Sequence, residues 1–236
     1  MVPSGRALVI FIRCRRLTML GPAICTLVLI SPIVATADPP VIIDKPIDYG
    51  AERIRLTIEY RRAHYGDDRN DITIVPRVIV LHSTETDSFA TTWQLFNRLR
   101  IDPARARLAK SGAVNVSAHF VVDRDGTIYR LMPETAMARH AIGLNEVAIG
   151  IENVGEVKRR PLTDAQVTAD AALIRYLAKK YPIRYLIGHS EYRRMEATPL
   201  FGERDPRYRD DKEDPGEPFL TRVRAAVAGL HLAAPP

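Results

Sequence analysis

Cysteine is nearly absent. The 236 residues contain only Cys14 and Cys25, both within the first 37 positions. A chain that sheds this segment forms no disulfide, and any metal it holds must sit on histidine and carboxylate. Aromatic residues make up 7% of the sequence, too little for a platform that stacks nucleobases. Acidic residues are missing from the first 37 positions, which carry Arg6, Arg13, Arg15 and Arg16. Without those four arginines the formal charge of +6 falls to +2, with 30 basic residues against 28 acidic. Little net charge then remains to attract nucleic acid, and no nucleic-acid partner is expected. No internal repeat is visible.

The first 37 residues have the order of an export leader: a basic start, an apolar stretch from Leu17 to Val34, and the small-residue site Ala35-Thr36-Ala37. An uncleaved anchor is the alternative. Pro22 and Pro32 interrupt the apolar run, and the cleavage site after Ala37 is a good one, so cleavage is the reading adopted. A lipid anchor would use Cys25, but Ile24 before it is too bulky for that processing site. The expected organisation is a signal peptide over 1–37, an N-terminal extension with one helix over 38–71, and the main domain over 72–236. No stable membrane span is expected after cleavage, and the mature chain is expected in the periplasm or secreted. Hydrophobic content of 46% with 26% charged residues is globular, and the length suffices to bury a core without cross-links.

Ala51–His64 reads as a helix, with Ile54, Ile58 and Tyr65 near helical spacing and Gly66 as a stop. Val78-Ile79-Val80-Leu81 is a continuous apolar run, as in a strand covered on both faces. Phe89, Trp93, Phe96 and Leu99 mark one face of a helix over Ser88–Arg100, with Trp93 in the core. His119–Val122 and Thr127–Leu131 flank Asp123-Arg124-Asp125-Gly126 as a hairpin. Val147–Ile151 and Tyr185–Ile187 read as further strands. Thr163 and Gln166 form a capping box for a helix reaching about Lys180. Pro218 suits the first turn of a last helix. This alternation predicts an α/β fold, a mixed central sheet flanked by helices.

Two of the six histidines directly follow apolar strand runs, His82 after Val80-Leu81 and His189 after Leu186-Ile187-Gly188. Side chains converge on ligands at the strand ends of such sheets. Asp214, held before Pro215-Gly216, completes a set of two imidazoles and one carboxylate. That set leaves a fourth zinc position open, as in catalytic sites. Glu191–Asp211 reads as a long loop whose Arg193, Arg194, Arg204, Arg207 and Arg209 line one wall of a cleft. A plain solvated loop is the alternative.

Four segments together resemble the zinc-dependent N-acetylmuramoyl-L-alanine amidases, the family that includes peptidoglycan recognition proteins. They are Val78–Thr84, Ser117–Arg130, Ile149–Gly155, and Gly188–Ser190 with Lys212–Gly216; the likeness covers about Ile72–Ala228. The resemblance implies a single catalytic domain with zinc on His82, His189 and Asp214, Glu152 as the catalytic carboxylate, and Lys212 near the reacting carbonyl. It also places His140 near the substrate groove, as a contact to peptide or carbonyl. Ala118 stands where an amidase-type phage lysozyme has a catalytic tyrosine. A glutamate-using branch has a similar Ser-Ala-His run, so the proton chemistry falls to Glu152. His119 is read as structural, and His64 and His231 as surface or packing residues. The implied substrate is the muramyl–L-alanine amide of peptidoglycan or muropeptides. The alternatives are a non-catalytic peptidoglycan-recognition module and another zinc peptidase acting on cell-wall peptides.

Overall fold

A computed structural model describes residues 39–236. The leader expected over 1–37 lies outside the described residues. Six strands form one sheet in the order β1-β4-β3-β5-β2-β6. They are β1 (Ile42–Asp44), β2 (Val78–Ser83), β3 (Phe120–Val122), β4 (Ile128–Arg130), β5 (Ala148–Asn153) and β6 (Tyr185–Gly188). All neighbours are parallel except the β3–β4 hairpin. Helices α1 (Ala51–Tyr65), α2 (Phe89–Asn97), α3 (Ala106–Lys110), α4 (Asp164–Lys180) and α5 (Glu217–Ala226) surround the sheet. The expected mixed sheet with flanking helices is the fold observed.

Side-chain alternation along β2 builds the two halves of the core. Ile79 and Leu81, with Ile149 and Ile151 of β5, pack against Leu173 and Leu177 of α4 and Leu220 of α5. Val78 and Val80, with Ile187 of β6, pack against Leu56 and Tyr60 of α1. Both faces of β2 are therefore covered, which is why its run is apolar without a break. The capping box of α4 is present: Gln166 N–H donates to Thr163 Oγ1 (3.1 Å) and Thr163 N–H to Gln166 Oε1 (2.9 Å). Gly66 closes α1 at φ +63°, its N–H on Arg62 O.

Three elements differ from the sequence reading. The buried side of α1 is Arg53, Leu56, Thr57, Tyr60, Arg61 and His64, not the Ile54–Ile58 stripe. Its cations are buried because each has backbone acceptors waiting. Arg53 Nη2 donates to Phe96 O and Arg98 O (both 2.8 Å), at the last turn of α2 and just past it. Arg61 donates to Asp71 O and Thr73 O and pairs with Glu146. Helix α2 stops at Asn97, short of Leu99, and Trp93 is half-buried with its indole N–H on Lys45 O. The predicted loop after β6 opens with a 3-10 helix, His189–Ala197. The segment before residue 72 supplies β1 and α1 to the same compact unit as the rest, Asp38–Pro236. No helix among the described residues is long and apolar enough to cross a membrane.

Candidate metal centre and cleft

Register brings the predicted residues together. His82 continues the Val78–Val80 face of β2, and its partner on β5 is Glu152. On the other side Leu81 pairs with Gly188, so His189, the next residue, stands beside His82. Three adjacent parallel strands thus deliver His82, Glu152 and His189 to one face at their C-terminal ends. Asp214 reaches in from the turn before α5. Its carbonyl accepts from Ser190 N–H (2.8 Å), which ties that turn to the 3-10 helix.

His82 Nδ1 lies 2.9 Å from His189 Nδ1, and Asp214 Oδ2 lies 3.4 Å and 3.2 Å from the two. All three residues are buried. Two imidazole nitrogens facing each other at this distance repel unless a proton or a cation sits between them. Donors at the corners of a tetrahedral zinc site, with bonds near 2.0–2.1 Å, stand about 3.4 Å apart. The observed spacings, and a donor set of two imidazoles and a carboxylate, fit zinc with one position left for water or substrate. Burial, reinforced by His189, lowers His82 to about 4, which keeps its ring neutral and able to ligate at pH 7. Burial alone would raise Asp214, but interactions led by those with His189 outweigh that and hold it well below the usual carboxylate range.

Glu152 sits at the same strand end with Oε2 buried and without a hydrogen-bond partner among the described residues. Burial, with the Asp214 charge nearby, raises it to about 8 against the opposing pull of Lys212. Lys212 is half-buried and held by Asp210 at 3.2 Å, and Asp210 also binds Arg107 at 2.8 Å. His140 turns both ring nitrogens toward protein atoms, Nδ1 to His82 Nε2 (3.1 Å) and Nε2 to Ala148 O (3.3 Å). His119 is fully buried; it accepts from Gly150 N–H and reaches Ala136 O. His64 is also buried, between Glu203 and Ser111 O, as a packing residue.

A cleft of about 390 Å³ opens over these groups, and His82, His140, Glu152, His189, Lys212 and Asp214 all line it. None of the five arginines expected on its wall does. They are engaged elsewhere: Arg193 and Arg209 with Glu196, Arg194 with the Pro235 and Pro236 carbonyls, and Arg207 with Asp205, while the Arg204 guanidinium lies against Gly66. The cleft's arginines are instead Arg105 and Arg139. Arg139 is buried over the Tyr60 ring and donates to Leu108 O, Val114 O and Tyr208 Oη, so it braces the wall. Nothing in the sequence near Tyr60, Arg139 or Tyr208 marks them as neighbours. Only the packing of α1, α3 and the segment after the 3-10 helix against the loop before β5 joins them.

A mixed α/β sheet with two histidines and an aspartate placed to hold a metal ion, and a carboxylate and a lysine at the same strand-end cleft, is the layout of a hydrolytic enzyme of the amidase type. The solved structure of an endolysin N-acetylmuramoyl-L-alanine amidase, LysCS from Clostridium intestinale URNW, has the same fold: TM-score 0.51, 23% identity, covering 84% of this chain and all of that one. The family model for N-acetylmuramoyl-L-alanine amidase matches residues 70–217, and the chain belongs to that family. The 1,6-anhydro-N-acetylmuramyl-L-alanine amidase AmpD of Salmonella typhimurium is 34% identical over 170 residues, 65% of this chain and 81% of that protein. Peptidoglycan recognition protein 3 of Mus musculus is 30% identical over 83 residues, 33% of this chain; the match spans only 23% of the mouse protein's length.

Proposed function

We propose that this protein is a zinc-dependent amidase that hydrolyses the bond between N-acetylmuramic acid and L-alanine in peptidoglycan or muropeptides. The observation that carries the reading is the convergence of His82, His189 and Asp214 beside an unpartnered Glu152 at the base of a cleft. His82 Nδ1, His189 Nδ1 and an Asp214 carboxylate oxygen would hold the ion. The chemistry zinc supplies at such a site is polarisation of a carbonyl and activation of water near neutral pH. Glu152 takes the proton of the attacking water on its free Oε2 and returns it to the leaving nitrogen. Burial, which strengthens its hold on a proton, suits the second half of that task; the positive charge of an ion on His82, His189 and Asp214 would oppose burial and keep the carboxylate ionised for the first. Lys212, fixed by Asp210, faces the cleft as the cation that stabilises the developing oxyanion. The leader read from residues 1–37 agrees with a substrate outside the cytoplasm.

The test is product analysis on a defined muropeptide, with and without chelator. Intact stem peptide and free lactyl-muramic acid, lost on chelation, support the amidase. A shortened peptide would move the protein to the zinc peptidases, and binding without turnover to the recognition modules. Glu152→Gln should lower turnover by about 10²–10⁴-fold with zinc retained. Near-normal turnover in that variant would remove the proton shuttle from the mechanism.

A further inference from the structure

His140 lines the cleft, yet its ring is spent on the protein. His82 Nε2 faces His140 Nδ1 at 3.1 Å, with the rings edge to face at 87°. His140 Nε2 faces Ala148 O at 3.3 Å. The polarity of this chain is fixed from its far end. A backbone carbonyl only accepts, and a neutral imidazole carries one proton. The His140 proton therefore sits on Nε2, and its Nδ1 is an acceptor. His82 must then donate from Nε2, which leaves its Nδ1 bare and pointed at His189 Nδ1 and Asp214. That is the tautomer a cation requires.

The surroundings hold the His140 ring in place. A side chain at Gly150 would stand 2.8–3.0 Å from three of its ring atoms, so the bare glycine makes the room it occupies. Asn145 Oδ1 accepts from both His140 N–H and Ala141 N–H at 2.9 Å and pins the backbone that carries the ring. We infer that His140 is a positioning residue that locks His82 in its metal-ready tautomer through a hydrogen-bond chain ending on the β5 carbonyl of Ala148. This is a different task from touching substrate, and it rests on the zinc reading of the donor set.

Two measurements on the purified chain test it. In the metal-free protein, imidazole ¹⁵N shifts should report His82 protonated on Nε2, and His140→Ala should leave it a mixture of tautomers. By competition titration with a chromophoric chelator, zinc should bind the wild-type chain one to one and His140→Ala about 10–100-fold more weakly. His140→Asn places an amide oxygen near the Nδ1 position and should recover most of that loss, which separates positioning from misfolding. Wild-type zinc affinity in His140→Ala, or a His82 proton on Nδ1 in the metal-free chain, would overturn the inference. Absence of zinc binding by the wild-type chain would instead overturn the zinc reading, and the tautomer measurement would still judge the link between His140 and His82.

Discussion

Replacing Asp170 by asparagine isolates the titration of one buried carboxyl. Asp170 lies on α4, fully buried against β5. Its Oδ2 accepts from Asn153 Nδ2 at 3.0 Å, and its Oδ1 has no partner among the described residues. Burial, only partly offset by the Asn153 hydrogen bond, raises its pKa from 3.8 to about 8. Below pH 3.8 the carboxyl is protonated in both folded and unfolded chains. Between 3.8 and 8 the unfolded chain ionises while the folded one does not, so folding stability drains away at about 1.4 kcal/mol per pH unit. Above 8 both forms are ionised and the loss is complete, on the order of 5 kcal/mol as an upper bound. That is a large share of the roughly 5–15 kcal/mol of a typical domain. Asparagine keeps the shape and removes the titration. Urea unfolding of both proteins at pH 5 to 9 gives the stability difference at each pH, in which other titrating groups cancel. The asparagine variant should gain on the wild type steadily as pH rises to about 8, then hold level. Stability curves that stay parallel from pH 5 to 9 would refute the account of Asp170 as a proton held by burial.

Three other outcomes follow from the geometry. Thr163→Ala removes the cap of α4 and the hydroxyl's bond to Arg124 O (2.8 Å); it should cost about 1–2 kcal/mol, read as a lower urea midpoint at unchanged slope. Leu173→Ala empties a fully buried position between α4 and the sheet and should cost about 2–5 kcal/mol in the same assay. Lys212→Ala should lower kcat by about 10²-fold on a muropeptide while zinc affinity stays within a few-fold, because the lysine faces the cleft and is not a donor to the ion.

The strands and the α4 cap were legible because their signals are local. Val78–Leu81 and the Thr163–Gln166 pair state their structure within six residues. The meeting of His82 and His189 was legible for a related reason: each histidine ends an apolar run, and parallel register does the rest. The buried side of α1 was not, because nothing local marks Arg53 and Arg61 for burial, or decides His64 between surface and packing, until their partners elsewhere in the chain are known. The arginine wall failed likewise. Arg193 and Arg194, on the 3-10 helix after β6, turn toward Glu196 and the C-terminal carbonyls, and Arg207 and Arg209, beyond it, turn toward Asp205 and Glu196. His140 carried a signal in the family likeness, but its partners come from β2 and β5, and only the folded chain places its ring against His82 Nε2 and Ala148 O.

The donor set also dates itself. His82 and His189 are 107 residues apart, and they meet only after β6 has crossed over α4 to pair with β2. Asp214 arrives 25 residues later still. Contacts of such long range are bought late in folding, after the local helices have formed. On the zinc reading proposed above, competence to bind the ion is a clock for the last long-range pairing of the chain: during refolding it should lag behind the recovery of helix, and a chain cut short before Asp214 would carry the histidines without the complete set.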